Sequence, residues 1–258
     1  MACITLLSDF GLQDASVAIA KGILMQHAPH IAIFDISHDI MPFHVHQAAY
    51  LITTAAKHFP SGTCHLLLFD VFSEKTPRLL LTEYNKQYFL GSDNGIIPTA
   101  FNIENSWQYF EMNGHHTYID WLIAAAKAAN LLQDHKPEAL GLPAYTLRSI
   151  AGNTSHLPSS GTVECEVIHI DNYGNVVLNI TKGQFESLTN GRQFRIQFKS
   201  VEDIDVIGGG YSDVRPGYKL CRFNSNGFLE ICINRGNAAS LFGLRLGKKN
   251  NDIKILFE

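Results

Sequence analysis

Strand and helix signals alternate through the first half of this 258-residue chain, and no other feature narrows its fold as much. Helical periodicity covers residues 17–26, 45–57 and 121–132. It is interleaved with short apolar runs typical of buried strands, at residues 2–7, 31–36, 64–69, 79–81 and 88–90. Such alternation is typical of βαβ units, in which helices cover a sheet of parallel strands. We therefore predict an N-terminal layered α/β domain with a mostly parallel sheet.

The second half of the chain has a different pattern of secondary-structure signals. Short β-rich runs broken by turn residues follow one another without helices, at residues 162–170, 176–180, 193–198, 219–223, 228–233 and 252–257. This pattern predicts a small antiparallel β-barrel or sandwich. A stretch rich in Ser, Gly and Pro, residues 143–160, separates the halves and is typical of a linker. We assign residues 1–148 to the α/β domain, 149–160 to the linker and 161–258 to a C-terminal β-barrel domain.

Composition excludes several classes of function. The formal net charge of -4, with no dense Lys/Arg stripe, lacks the basic footprint of proteins that bind nucleic acid or anionic membranes, so we expect a small-molecule partner. The apolar stretches are strand-sized, so neither a membrane span nor a secretory signal is indicated, and we expect a cytoplasmic protein. The five cysteines never form C-x-x-C and are interpreted as free buried thiols.

The triplet Asp9-Phe10-Gly11 raises the first functional question, because a DFG triplet binds magnesium in protein kinases. A kinase needs a glycine-rich loop, a strand lysine and a catalytic loop before its DFG, and only eight residues precede Asp9. The triplet instead lies between a predicted buried strand and a predicted helix. Open α/β sheets bind ligands at this carboxyl edge, so the sequence predicts a ligand-facing carboxylate at Asp9.

Polar, turn-forming segments recur along the chain, and each one alone has a structural explanation. NYGN and SNG form good hairpin turns, and GSDNG is a strand-ending turn in which Asn or Asp caps its own backbone. The segments are SDFGLQD (8–14), DISHDIMPF (35–43), FDVFSEKTPR (69–78), GSDNG (91–95), HIDNYGN (169–175), YSDV (211–214), FNSNG (223–227) and NRGNAASLFG (234–243).

Taken together and in this order, the segments match one set of motifs. Residues 7–22 reproduce L-[ST]-D-F-G-x-x-D-x-x-V-x-x-x-K-G, residues 35–42 D-I-[ST]-H-x-I-x-P, and residues 59–65 F-P-x-G-T-x-H, while P-N-N-G appears as residues 92–95. In the second half, residues 170–180 correspond to I-D-x-[FY]-G-N-x-x-x-N-I, residues 210–214 to T-Y-[AS]-D-V, and residues 224–238 to N-S-x-G-x-L-E-I-x-x-N-x-G-N-A. Across essentially its whole length, the chain resembles the S-adenosylmethionine hydroxide adenosyltransferase family, which shares its fold with the fluorinase and chlorinase enzymes.

The resemblance implies an N-terminal α/β domain, a C-terminal β-barrel and a homotrimer. S-adenosylmethionine would lie where one subunit's N-terminal domain meets a neighbour's C-terminal domain, and hydroxide attack at the ribose 5′ carbon would release adenosine and L-methionine. Asp9 is the position whose carboxylate would take both ribose hydroxyls, a geometry that an ionised acid suits; a helix N-cap is its alternative role. Phe43 matches an aromatic beside the ribose or sulfonium and could equally be a core residue.

Further binding residues follow from the same resemblance. Asp171 would take the methionine ammonium, with Asn175 and Ser225 as polar companions, and the backbone near Asn237 and Ala238 would read the adenine edge. The remaining matched positions are Tyr173 and Tyr211 around the adenine, and Asp14 and Asn94 in the N-terminal motifs.

An Asp-Arg-His set surrounds the nucleophilic water in the family, and here the chain departs from the pattern. The loop D-P-G-V-G-[ST]-x-R-R is replaced by residues 70–78, which keep Asp70 but place Pro77 at the first Arg, so Arg78 aligns with the second. In the segment before residue 120, Thr117 falls at the family histidine and His116 one residue early. We predict Asp70, Arg78 and His116 as catalytic residues, with His115 and Lys75 as possible substitutes.

Three functions therefore stand at this point. The first is an S-adenosylmethionine hydrolase, and the second is a non-catalytic protein that binds S-adenosylmethionine or adenosine with a degenerate nucleophile site. A halogenase is the third and weakest, since a fluorinase-type loop is absent although Ser73 and Thr76 are present. No cluster has metal-ligand spacing and the sulfonium is already a good leaving group, so we expect no metal and no cofactor.

Overall fold

The structure is a computed structural model that describes residues 3–73, 75, 77–101, 107–110, 117–147, 161–198, 202–248 and 252–257. The chain divides into two compact units, Met1–Ala151 and Gly152–Glu258. Six α-helices are found within the described residues, and none of them is long and apolar enough to span a membrane.

The first unit is built on one seven-stranded sheet in the order β2-β1-β3-β5-β4-β6-β7. Its strands are β1 (Ile4–Ser8), β2 (Ile33–Ser37), β3 (Cys64–Leu68), β4 (Leu79–Tyr84), β5 (Gln87–Gly91), β6 (Trp107–Phe110) and β7 (Ala144–Tyr145). Its helices are α1 (Ser16–His27), α2 (Val45–Ala56), α3 (Ile96–Phe101) and α4 (Tyr118–Leu131), and a 3₁₀ turn spans Pro137–Leu140.

Helices cover both faces of this sheet, as the alternation of signals predicts. One core packs α1 and α4 against the sheet around Leu24 and Trp121, and a second core packs α2 and α3 around Ile52 and Ile96. Strand β1 is buried along its whole length, which is typical of a strand between two helical layers. The unit is therefore a three-layer α/β arrangement.

The sheet is mixed, which corrects the prediction of a mostly parallel one. Strands β2, β1, β3 and β5 pair in parallel, whereas β4, β6 and β7 pair antiparallel. The β4–β5 connection is a tight hairpin at Asn85 and Lys86, both with positive φ, and a hairpin can only join antiparallel strands. Strand β7 lies within residues 1–148, which the sequence assigns to this domain. The predicted linker at residues 149–160 is outside the described part of the chain.

The second unit has two sheets, in the orders β13-β14-β15-β10-β9 and β12-β11-β16-β8. The strands are β8 (Thr162–Cys165), β9 (Val167–Ile170), β10 (Val176–Thr181), β11 (Phe194–Phe198), β12 (Glu202–Ile204), β13 (Ile207–Gly208), β14 (Lys219–Phe223), β15 (Phe228–Ile233) and β16 (Ile253–Phe257). All pairings are antiparallel except β13 with β14. Neither sheet closes on itself among the described residues.

Two helices also belong to the second unit, where the sequence predicted none. They are α5 (Lys182–Thr189) and α6 (Ala238–Phe242). Helix α5 begins with a capping box, in which the Thr181 hydroxyl accepts from the Gln184 amide and the Gln184 side chain accepts from the Thr181 amide. Helix α5 is short and polar, with one buried residue, Phe185. Its apolar periodicity is therefore too weak to predict a helix from the sequence.

Candidate active site

The carboxyl ends of the parallel strands bring the N-terminal candidate residues to one edge of the sheet. Asp9 follows β1, Asp70 follows β3 after Phe69, and Asn94 lies in the turn after β5. His38 follows β2 on the other side of β1. The predicted ligand edge therefore carries two acids from separate motifs.

Asp9 and Asp70 form the centre of this edge. The Asp70 backbone amide donates a long hydrogen bond of 3.4 Å to Asp9 Oδ2. Burial raises the pKa of Asp9 despite this bond, and the pKa of Asp70 is raised by burial and by the neighbouring Asp9 charge. Within the described residues no donor offsets the burial of the Asp70 carboxyl. The two acids thus form an electronegative, incompletely paired site.

The loop that carries Asp70 is held by the turn after β5. Asn94 Nδ2 donates to the Phe69 carbonyl at 2.7 Å, and the Ser92 hydroxyl donates to the Val71 carbonyl at 3.0 Å. Asp70 itself has φ +39°, an uncommon conformation for a residue with a side chain. Asn94 and Ser92 therefore support the Asp70 loop on either side of that strained position.

Arg78 lies at the same edge, because β4 begins where β5 ends. Its Nη1 donates to the Tyr145 hydroxyl at 3.3 Å and its guanidinium lies 5.3 Å from the centre of the Tyr145 ring. The Tyr145 hydroxyl donates in turn to Asp93 Oδ2 at 3.0 Å. Sequence reasoning missed Tyr145, which is 67 residues from Arg78. The available signal was Asp93, an acid at a position where the family motif P-N-N-G has Asn.

His116, the predicted catalytic histidine, lies outside the described residues, as does its substitute His115. The neighbouring Thr117 is the N-cap of α4, where its hydroxyl accepts from the Asp120 amide at 3.2 Å. The next residue, Tyr118, packs edge-on against Phe10 with ring centres 5.4 Å apart. The start of α4 therefore lies beside the loop that holds Asp9. Lys75 is exposed.

Asp14 and Phe43 are both exposed, with different local roles. Asp14 Oδ1 accepts from the Ser16 amide at 2.8 Å at the start of α1, which lowers the pKa of the carboxyl. Phe43 is 76% exposed with φ +64°, a backbone outlier for an aromatic residue. The loop is fixed on either side, since Gln47 Oε1 accepts from the Met41 amide at 2.8 Å. Phe43 is thus not a core residue of the isolated unit.

In the second unit, Asp171 and Asn175 form a closed turn at the β9–β10 hairpin. Asp171 Oδ1 accepts from the amides of Tyr173 and Asn175, each at 2.9 Å, and Oδ2 accepts from Asn175 Nδ2 at 2.8 Å. Three donors satisfy this carboxylate before any ligand arrives. One acceptor position of Oδ2 remains, because a carboxylate has about four lone-pair sites.

Tyr211 extends this network. Asn175 Nδ2 donates to the Tyr211 hydroxyl at 3.1 Å, and that hydroxyl donates to Glu230 Oε1 at 2.9 Å. The Arg222 guanidinium lies 4.7 Å from the centre of the Tyr211 ring. Burial and the Glu230 carboxylate raise the pKa of Tyr211. Sequence reasoning missed Glu230 and Arg222, although Glu230 is an acid at a buried strand position.

Asn237 and Ala238 reach the same hairpin, and Ser225 does not. The Ala239 amide donates to the Gly174 carbonyl at 2.9 Å, and Asn237 Oδ1 caps α6 by accepting from Ser240 at 2.7 Å. Ala238 is fully buried, whereas Tyr173 is 76% exposed. Ser225 is exposed in the β14–β15 turn, and the register of β15 with β10 places that turn at the far end of β10 from Asp171.

The chain is similar to known proteins over most of its length. A family model described as SAM hydroxide adenosyltransferase N-terminal domain matches residues 4–141, and one described as SAM hydroxide adenosyltransferase C-terminal domain matches residues 165–250. A crystal structure of an uncharacterized conserved protein from Thermotoga maritima has a TM-score of 0.77 at 25% identity, covering 98% of this chain and 99% of that one.

Two curated relatives cover nearly the whole chain. The (R)-S-adenosyl-L-methionine hydrolase of Thermus thermophilus is 26% identical over 258 residues, which is 93% of this chain and 95% of that protein. The fluorinase of Nocardia brasiliensis is 38% identical over 282 residues, 95% of this chain and 94% of that protein. The family predicted from the motifs is confirmed: the chain belongs to the SAM hydroxide adenosyltransferase family.

Proposed function

We propose that this protein hydrolyses S-adenosyl-L-methionine to adenosine and L-methionine by hydroxide attack at the ribose 5′ carbon. The observation that carries the proposal is the pair of acids at the carboxyl edge, where the Asp70 amide contacts Asp9 at 3.4 Å and neither carboxyl is fully paired. Two half-buried carboxylates favour a cationic ligand, and a sulfonium supplies that charge.

The two acids take different roles. Asp9 accepts from the two ribose hydroxyls, which fixes the sugar. Asp70 orients the attacking water and takes its proton. Because the sulfonium leaves readily, catalysis consists mainly of holding the nucleophile in line behind the 5′ carbon.

The remaining catalytic roles follow from the family pattern. The positive charge of Arg78 favours hydroxide over water, and its stacking on Tyr145 supports a fixed guanidinium at this edge. His116 completes the set as the residue that orients the nucleophile. Asn94 contributes indirectly, through its bond to the Phe69 carbonyl beside Asp70.

The second unit supplies the rest of the substrate site in this proposal. The free acceptor of Asp171 takes the methionine ammonium, Tyr173 and Tyr211 flank the adenine, and the backbone at Asn237 and Ala238 reads its edge. We propose a homotrimer in which sites form between subunits and the two C-terminal sheets wrap into a barrel. Phe43, exposed on its unit, would then contact substrate only in the assembly. Ser225 lies at the other end of β10 from Asp171, so it would contact a part of the substrate other than the ammonium.

No cofactor or metal takes part in the proposed reaction, and the site of action is the cytoplasm. A metal-free reaction is supported because, in the described part of the chain, no three His, Cys, Asp or Glu residues are grouped as metal ligands. A cytoplasmic site of action is supported because all five cysteines are buried and free, as is usual in a reducing compartment.

The test is incubation of the purified protein with S-adenosylmethionine, with adenosine measured by chromatography. Asp70→Ala should lower the turnover number about 100-fold or more while adenosine binding is kept, and Asp134→Ala, an exposed acid after α4, is the matched control. Tight binding without turnover would instead favour a non-catalytic binding protein. Formation of 5′-chloroadenosine in chloride would favour a halogenase, and loss of activity with a chelator would contradict metal-free catalysis.

A further inference from the structure

His38 contacts both ends of the loop that carries Asp9. Its ring Nδ1 lies 2.7 Å from the Ser8 hydroxyl, and its backbone carbonyl accepts a 2.7 Å hydrogen bond from the Gly11 amide. Ser8 and Gly11 flank Asp9 and Phe10, so one residue at the end of β2 fixes this loop at two points. Gly11 has φ +69°, the left-handed conformation that glycine adopts readily and that turns its amide toward His38.

The His38 ring is also held on its other side. Nε2 lies 3.0 Å from Asp35 Oδ1, although not aligned as a good hydrogen bond, and Asp35 Oδ2 lies 2.6 Å from Lys21 Nζ. An ionised carboxylate only accepts hydrogen bonds, so this environment assigns the ring proton to Nε2. The Nδ1 atom is then the acceptor, and the Ser8 hydroxyl donates to it.

This Ser-His-Asp arrangement cannot be a nucleophilic triad. Ser8 is 0% exposed at the end of a strand buried on both faces, so its oxygen does not reach a substrate carbon. His38 is only 5% exposed and faces Ser8 instead of the ligand edge. What the arrangement fixes is the direction in which the chain leaves β1, and therefore the aim of the Asp9 carboxylate.

We propose that His38, acting through the Ser8 hydroxyl, is a positioning residue that sets how well Asp9 recognises a ribose diol. The inference rests on the proposed function, in which Asp9 accepts from both ribose hydroxyls. Two hydrogen bonds to one carboxylate need both oxygens aimed within a narrow range of angle and distance. A small rotation of the loop loses one of them and leaves contacts to the base unchanged. His38 therefore controls selectivity for the diol more than overall affinity.

The chain contains a matched control on the same strand, β1, three residues before Ser8. Thr5 of β1 and His65 of β3 form the same kind of pair, with the Thr5 hydroxyl 2.7 Å from His65 Nδ1, and both residues are 0% exposed. Among the described residues, the hydrogen bond and ring contacts of this pair do not involve the Asp9 loop. His65→Gln therefore reproduces the loss of a buried histidine-hydroxyl contact without touching the ligand edge.

The experiment compares the affinities of adenosine and 2′,3′-dideoxyadenosine by calorimetry. The ratio of the two dissociation constants measures diol recognition, and we expect about 100-fold in the wild-type protein. Ser8→Ala and His38→Gln, whose amide reaches toward Asp35 and not Ser8, should each reduce the ratio about 10-fold. His38→Asn, whose amide oxygen takes the place of Nδ1 and can accept from the Ser8 hydroxyl, should recover most of it. His65→Gln should leave the ratio unchanged, and thermal unfolding of each variant reports its folding.

The outcomes separate failure of this inference from failure of the proposed function. If Asp9→Asn does not reduce the ratio, Asp9 does not bind the diol, and the proposed function fails along with the inference. If Asp9→Asn abolishes the ratio but Ser8→Ala and His38→Gln keep the wild-type value, the inference alone is wrong. Equal losses in His38→Gln and His65→Gln would also overturn it, since a general loss of stability would then explain the effect.

Discussion

The two units each present an aspartate at a turn, and the two aspartates differ in how completely the protein itself satisfies them. Asp171 accepts three hydrogen bonds from its own hairpin. Asp9 accepts only a long bond from the Asp70 amide and a contact from its own amide, and burial still raises its pKa. A satisfied carboxylate rigidifies its turn, whereas an incompletely paired one keeps its acceptors for a ligand. The comparison indicates that the turn at residues 171–175 of the second unit, here called the platform, is already formed without ligand. The Asp9 site of the first unit instead needs a ligand to satisfy its carboxylate.

The largest effect should come from breaking the platform at Gly174. This residue has φ +81°, and a Cβ added there would lie 2.1 Å from Asn237 Cγ. Gly174→Ala should lower the free energy of unfolding by about 2–5 kcal/mol, from strained backbone and overpacking together. Urea unfolding measures it. Gly183→Ala is the control, because that glycine is in α5 with nothing within 4 Å of an added Cβ, and equal stability of the two variants would refute the rigid platform.

Replacing each aspartate by asparagine sharpens the comparison. Asp171→Asn puts an amide where three donors converge, so we expect a loss of about 1–3 kcal/mol in the free energy of unfolding. Asp9→Asn removes a carboxylate that burial disfavours in its charged form, so stability at neutral pH should be unchanged or slightly higher. Its affinity for adenosine should fall to about that for 2′,3′-dideoxyadenosine. Chemical denaturation and calorimetry measure both properties. A large loss of stability in Asp9→Asn would mean that Asp9 is structural.

The smallest effect is a shift in pH dependence. The Asp9 charge contributes to the raised pKa of Asp70, so Asp9→Asn should lower the pKa of Asp70 and move the acid limb of the residual kcat/KM profile to lower pH. The sign for stability is opposite to that of a salt-bridged acid. Since folding raises both pKa values above 3.8, the wild-type protein should gain stability relative to Asp9→Asn as pH falls toward 3.8. An acid limb at the same pH in both proteins would contradict coupling between these carboxylates.

Long periodic patterns made most of the first unit predictable. Helix α2 was predicted at residues 45–57 and spans Val45–Ala56, and β3 was predicted at residues 64–69 and spans Cys64–Leu68. Helix α3 was missed because it is six residues long and contains Pro98. For α5, the capping box at Thr181 and Gln184 was readable, but its apolar face was too small to be recognised.

The site was predictable where its residues are close in sequence and hidden where they are not. Asp171 and Asn175 meet within one hairpin, so a motif captures them. The Arg78–Tyr145 and Ser8–His38 contacts join residues 67 and 30 positions apart, and only the sheet topology brings them together. His38 was part of a recognised segment, yet nothing in the segment shows that its ring faces Ser8.

Hydrolysis in ¹⁸O-labelled water, followed by mass spectrometry of both products, tests the central claim most directly. If Asp70 directs hydroxide to the ribose 5′ carbon, the label will appear in the ribose part of adenosine and not in methionine. Asp70→Ala will form labelled adenosine about 100-fold more slowly or not at all. Label in methionine, unlabelled adenosine, or unchanged turnover in Asp70→Ala would contradict the account.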